Sequence, residues 1–229
     1  MKIIECQQRS NDWFKARLGL PTASKIGVLF TPTGKQAANA TRRRYALELA
    51  IEKLTKRPTF VPTTFHMDRG TELEPQARIW YYLETRRKAD EIGFALADSG
   101  LTGCSPDGFV SNDGAVEIKC PAMPHFAEII MTGEIDAAWL MQCHHTLYVT
   151  GRDWIDFVLY TDVEPFTGWI KRIYRDDEIC EKIEQAVEDF TAEVQEMTET
   201  LIERGGLTQD MLKFEPPIFN DCETVDITM

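Results

Sequence analysis

Thr102-Gly103-Cys104-Ser105-Pro106-Asp107-Gly108-Phe109-Val110-Ser111-Asn112-Asp113-Gly114-Ala115-Val116-Glu117-Ile118-Lys119-Cys120 decides how the chain is read. The turn signal Ser111-Asn112-Asp113-Gly114 separates two short runs, 107–111 and 115–119, that read as adjacent strands. Strand side chains alternate, so Glu117 and Lys119 share one face while Val116 and Ile118 supply an apolar one. Asp107, at the end of the neighbouring strand, is folded towards them by the turn. Two carboxylates and an amine then converge. Hard oxygen ligands suit Mg²⁺ or Mn²⁺, and such a metal neutralises phosphate oxygens and acidifies a bound water. A lysine beside it can hold that water or stabilise charge on a phosphoryl group. Glu-x-Lys alone carries little weight where 27% of residues are charged, and an exposed strand pair beside a turn aspartate is the plain alternative. An apolar opposite face argues that the charged one lines a cleft.

Outward from this block the period becomes helical. Towards the N-terminus, Ser10-Asn11-Asp12 caps a short helix ending near Arg17, and Pro21-Thr22-Ala23-Ser24 opens another. Residues 38–56 form a long helix with Tyr45, Leu49 and Leu54 among its apolar positions, and Pro58 and Pro62 break the chain after it. Residues 68–87 repeat Leu73, Ala77, Trp80, Tyr81 and Glu84 at helical spacing, and Trp80, Tyr81 and Tyr82 read as core. Short strands at 92–97 and 102–104 lead into the central block. Beyond it come a helix at 136–149, strands at 154–160 and 168–174, and a last helix over 176–204. The stripe Ile179, Ile183, Ala186, Phe190, Val194, Met197, Leu201 marks that helix's buried face. The fold class is α/β, with a central, mostly antiparallel-entry mixed sheet flanked by helices. One domain is expected over 1–229, with a core at about 10–175 and an acidic C-terminal helix at about 176–204 plus a tail.

Charge is unevenly spread. The net value of −12 conceals 12 bases against 4 acids in residues 1–60 and 3 bases against 16 acids in residues 176–229. The acidic balance therefore does not argue against a nucleic acid, since a basic N-terminal third can meet phosphates while the acidic end faces elsewhere. A hydrophobic fraction of 43% excludes a disordered chain, and no apolar run reaches the length of a membrane span or signal peptide. Six cysteines without a CxxC pair exclude a zinc ribbon and point to free thiols in a reducing cytoplasm. His144-His145 lacks the spacing of a zinc site, and no P-loop is present. His66 and His125 stand singly. Arg42-Arg43-Arg44 is either a solvated helix face or a contact to duplex backbone.

Pro106-Asp107 followed by Glu117-Ile118-Lys119 resembles the signature of the PD-(D/E)xK nucleases, which share a restriction-endonuclease-like core. More closely, the chain resembles the phage lambda exonuclease and YqaJ-like viral recombinase family. Ser105-Pro106-Asp107-Gly108 with Glu117-Ile118-Lys119-Cys120-Pro121 matches its central block, and Trp13 to Ser24 its N-terminal block. Gly70-Thr71-Glu72-Leu73-Glu74-Pro75-Gln76-Ala77-Arg78 matches its helical block, and Gln142 falls on its glutamine. The four blocks keep the family's order from residue 13 to about 150.

The resemblance implies a deoxyribonuclease that digests the 5′-ended strand of double-stranded DNA and leaves 3′ single strands for recombination. It implies two Mg²⁺ ions, with Mn²⁺ as substitute, held by Asp107, Glu117, the Ile118 carbonyl and Glu74. Lys119 would position the attacking water, and Gln142 would orient a neighbouring side chain or a phosphate. Arg17, Thr22, Ser24 and Ser105 would receive the 5′-phosphate, and Met67 would act as a wedge at the terminal base pair. A homotrimer ring, a single-strand annealing protein as partner, and a phage or prophage origin in a bacterial cytoplasm are implied too. The chain departs from related nucleases where Cys143-His144-His145 precedes Tyr148 in place of an earlier tyrosine, and it lacks the cysteines for an iron–sulfur cluster. A restriction- or repair-type endonuclease, or an idle DNA-binding module, would share the core.

Overall fold

The computed structural model describes residues 1–31, 33–59 and 65–213, and the backbone alone at 65–68. Its centre is a five-stranded mixed sheet. In chain order the strands are β1 (Lys2–Ile4), β2 (Ala89–Asp90), β3 (Phe94–Leu96), β4 (Gly103–Cys104), β5 (Gly108–Val110), β6 (Gly114–Lys119), β7 (Trp154–Tyr160) and β8 (Gly168–Tyr174). The large sheet has the order β2-β5-β6-β7-β8, and β1-β3-β4 form a separate three-stranded sheet. β5 and β6 are antiparallel, β6 and β7 parallel, β7 and β8 antiparallel. A parallel pair needs a long crossover, and two helices supply it, α4 (Met123–Thr132) and α5 (Ala137–Thr150).

Sequence periodicity explains which faces are covered. Val116 and Ile118 turn to the side packed by Ala77 and Tyr81 of α3 (Phe65–Thr85). Ala115 turns to the opposite side, where Phe126, Ile129, Cys143 and Leu147 of α4 and α5 pack with Ile155 and Phe157. Beyond α5 lies a helical layer. It consists of the 3₁₀ helix Ala23–Leu29, α2 (Ala40–Thr55) and α6 (Asp177–Gly205), closed around Ile26, Tyr45, Leu49, Ile183, Phe190 and Val194. α1 (Asn11–Arg17) is capped by Ser10, which accepts the Trp13 N–H. α7 (Gln209–Leu212) ends the described chain.

Strands β7 and β8 and the stripe of α6 match the expected spans, and Pro75 is accommodated inside α3. Three features differ. The strands split into two sheets because β1 pairs with β3, which leaves 94–96 and 103–104 outside the large sheet. α4 forms where no element is expected, started by Pro124 in its first turn and stopped by Gly133 in the left-handed region. Tyr82 is 49% exposed, whereas Ala77, Trp80 and Tyr81 of α3 pack on the sheet.

Candidate active site and DNA-end pocket

Strand β6 delivers Glu117 into the layer between the sheet and α5, where it is 3% exposed. Its Oε1 accepts from Lys119 Nζ at 2.7 Å and from Gln142 Nε2 of α5 at 2.5 Å. Its Oε2 is buried without a hydrogen-bond partner. Asp107 precedes β5, and its Oδ2 accepts the Ile118 N–H at 2.6 Å, which fixes it beside Glu117. Burial, then the charges of Glu117 and Glu74, push the Asp107 carboxyl up to about 8. Burial pulls the Lys119 amine down, but Glu117 and Asp107 outweigh it and raise the group above its ordinary value. Lys119 is therefore an ammonium and a donor.

Glu74 on α3 belongs to a neighbouring cluster. Its carboxylate meets Arg78 Nη2 at 2.8 Å and Arg9 Nη2 at 3.8 Å. Among the described residues no three His, Cys, Asp or Glu side chains stand together as a ready ligand set. The site nevertheless suits a divalent cation. It has a buried carboxylate oxygen with no donor, and a second carboxyl whose ionisation its neighbours oppose.

A second cluster lies one residue pair away along the chain. Ser105 Oγ accepts from Trp13 Nε1 at 2.8 Å. The Arg17 guanidinium lies 3.8 Å from the centre of the Trp13 ring and donates to Thr22 Oγ1 at 3.2 Å. Thr22 is itself held by donating its N–H to the Tyr45 hydroxyl at 3.2 Å. Burial lowers the Arg17 pKa to about 10, so it is still a cation at neutral pH. A half-buried guanidinium stacked on Trp13, with the Thr22 hydroxyl bonded to it and the Ser105 hydroxyl on the far side of the same indole, has the chemistry to receive an anion. Ser24 is exposed and makes none of these contacts. The Met67 side chain lies outside the described residues.

Two residues that complete the pocket, Trp13 and Tyr45, escape reading from sequence as site residues. The Trp13–Arg17 spacing of i,i+4 on a helix is the signal that finds the first. Nothing local marks Tyr45, which reaches Thr22 from another helix. Arg42 pairs with Glu193 of α6 at 3.0 Å and is buried, and Arg44 pairs with Glu48 at 3.5 Å, so the three-arginine run is partly used inside the fold. His145 is buried, bonded to Thr102 Oγ1 at 2.8 Å, and burial lowers its pKa to about 3. No described helix is long and apolar enough to cross a membrane.

Comparison with known proteins bears on the family and the fold. The family model of the YqaJ-like viral recombinase domain matches residues 12–153. The alkaline exonuclease LHK-Exo of Laribacter hongkongensis superposes with a TM-score of 0.79 at 36% identity, over 86% of this chain and 98% of that one. That protein has also been solved in complex with dAMP. A phage-related exonuclease of Haemophilus somnus 129PT shares the fold, with a TM-score of 0.61 at 19% identity over 81% of this chain and 96% of that one. Uncharacterized protein R354 of Acanthamoeba polyphaga mimivirus is 26% identical over 186 residues. That match covers 73% of this chain but only 31% of the viral protein's length. The chain belongs to the YqaJ-like viral recombinase family.

Proposed function

We propose that the protein is a Mg²⁺-dependent exonuclease that digests the 5′-ended strand of double-stranded DNA from its ends. The observation that carries this reading is the adjacency of the two clusters. Ser105 belongs to the anion pocket and Asp107 to the carboxylate site, and one residue separates them. A terminal phosphate seated on Arg17 sets the next phosphodiester against Asp107, Glu117 and Lys119. The dAMP complex of the Laribacter enzyme is consistent with a mononucleotide product.

Asp107, Glu117 and the Ile118 carbonyl would hold one cation, and Glu74 would serve a second after leaving Arg78. When bound, Mg²⁺ supplies positive charge against the phosphate oxygens and makes a water acidic. Lys119, kept as an ammonium, donates to the attacking water or to a phosphate oxygen and fixes its direction. Gln142 holds Glu117 Oε1 in place, which leaves Oε2 for the cation. Arg17 and Thr22 set the register, so the cut falls at the first linkage. The Asp107, Glu117 and Lys119 pattern makes this a PD-(D/E)xK site.

A threefold ring would gather three basic N-terminal regions around one channel and hold DNA topologically. The 3′ strand left behind would pass to a single-strand annealing protein in the host cytoplasm. Duplex DNA labelled at the 5′ end tests the chemistry. Release of the terminal mononucleotide ahead of any internal fragment supports an exonuclease, and internal cuts would transfer the site to an endonuclease. Light scattering tests the ring, with a mass near three chains expected and a monomeric mass contradicting it.

A further inference from the structure

Glu74 opens onto a polar cleft whose other residues have no part in the reaction proposed above. It has a volume of about 430 Å³ and is lined by Gln7, Gln8, Arg9, Ser10, Glu74, Arg78 and Glu91. Its position follows from three contacts. Gln8 Nε2 donates to the Pro106 carbonyl at 3.1 Å, next to Asp107. Trp13 holds Ser105, and Arg17 stacks on Trp13. Ser105-Pro106-Asp107 thus runs alongside α1 in the opposite sense. In order along this track stand Arg17, Ser105, Asp107 and Arg9.

The charges in the cleft are arranged around Arg9. Arg78 lies between Glu74, at 2.8 Å, and Glu91, at 3.6 Å, and its one charge is shared by the two acids. Arg9 bonds the Thr71 hydroxyl at 2.6 Å and stays 3.8 Å from Glu74, with 55% of its side chain exposed. Its backbone has φ +68, a left-handed conformation that arginine adopts only where the surroundings impose it. That conformation starts the turn into α1 and carries the guanidinium over the cleft.

We propose that Arg9 binds a backbone phosphate of the digested strand on the 3′ side of the scissile linkage, as a register residue for the reaction proposed above. The seven residues of α1 span about 10 Å, and one DNA strand advances about 3.4 Å per nucleotide. That is about three steps from the terminal phosphate, so the Arg9 phosphate is about two linkages beyond the one that is cut. The strand is then held at both ends of the track, by Arg17 at its terminal phosphate and by Arg9 downstream. The scissile phosphate is fixed between them.

Arg9→Gly is the informative variant, since glycine takes a positive φ without strain and only the side chain is lost. Single uncharged methylphosphonate linkages are placed in turn along the 5′ strand, and single-turnover cleavage is measured. Wild-type protein should slow roughly tenfold when the linkage facing Arg9 is neutral, and Arg9→Gly should slow similarly on natural DNA and lose that sensitivity. Duplex-end binding is measured in parallel in a Lys119→Ala background, where adding Arg9→Gly should reduce the salt slope by about one. If Arg9→Gly keeps the wild-type response to every neutral linkage and the same salt slope, the proposal is overturned. If binding responds to Arg9 but no strand is cleaved by the wild type, the phosphate site stands and the exonuclease reading falls.

Discussion

Replacing Arg17 should separate the proposed recognition of the DNA end from the chemistry. Its guanidinium spends one N–H on Thr22 and its face on Trp13, which leaves further donors for a phosphate. Arg17→Ala removes the stacking on Trp13 and should remove the proposed phosphate contact. The stacking, worth about 1 kcal/mol, affects every substrate equally. The phosphate contact affects only DNA that carries a 5′-phosphate. A hydrogen bond to a charged group contributes about 1.5–3 kcal/mol, so the preference for phosphorylated over hydroxyl ends should shrink roughly 10- to 150-fold. Arg17→Lys keeps the charge but not the planar fork, and should fall between. The assay is single-turnover digestion of two duplexes that differ only in the 5′ group. Equal slowing on both would show that Arg17 only props Trp13 and Thr22, and would refute the end-pocket reasoning.

Lys119→Ala should abolish measurable strand cleavage while duplex-end binding in a gel-shift assay persists, and near-normal turnover would remove Lys119 from the site. Asp156 is 1% exposed, accepts the Tyr81 hydroxyl at 2.7 Å and takes a two-point contact from Arg172. Asp156→Ala strands both partners and should cost about 3–5 kcal/mol in urea unfolding. His145 has a depressed folded pKa of about 3, so the unfolded chain binds its proton first and stability falls with pH from about 6.5 down to about 3. Its share of the loss between pH 7.5 and pH 5 is about 2 kcal/mol, and His145→Gln should remove that share from the unfolding curves.

What could be read from the sequence was what local pattern encodes. Residues 154–160 and 168–174 are bounded by turn residues and rich in β-branched and aromatic side chains, and both became strands with those limits. The stripe from Ile179 to Leu201 has one buried face, and α6 packs it on α2 through Tyr45 and Phe190. The split into two sheets could not be read, because the pairing of Lys2–Ile4 with Phe94–Leu96 depends on contacts about ninety residues apart. At the site, the alternation of Glu117 and Lys119 and the turn at 111–114 bring those residues to Asp107 as the spacing implies. Glu74 is different. Its i,i+4 partner Arg78 and the distant Arg9 compete for the carboxylate, and a motif cannot rank such competitors. Tyr45 and Gln8 act from other elements and leave no local mark.

The most direct test of the central claim is digestion of one plasmid in two forms, linearised and covalently closed, with Mg²⁺ and with Mg²⁺ plus chelator. The account predicts that the linear form is degraded from its ends, that the closed circle survives, and that chelator stops the reaction. Cutting of the closed circle, or undiminished digestion in chelator, would contradict it.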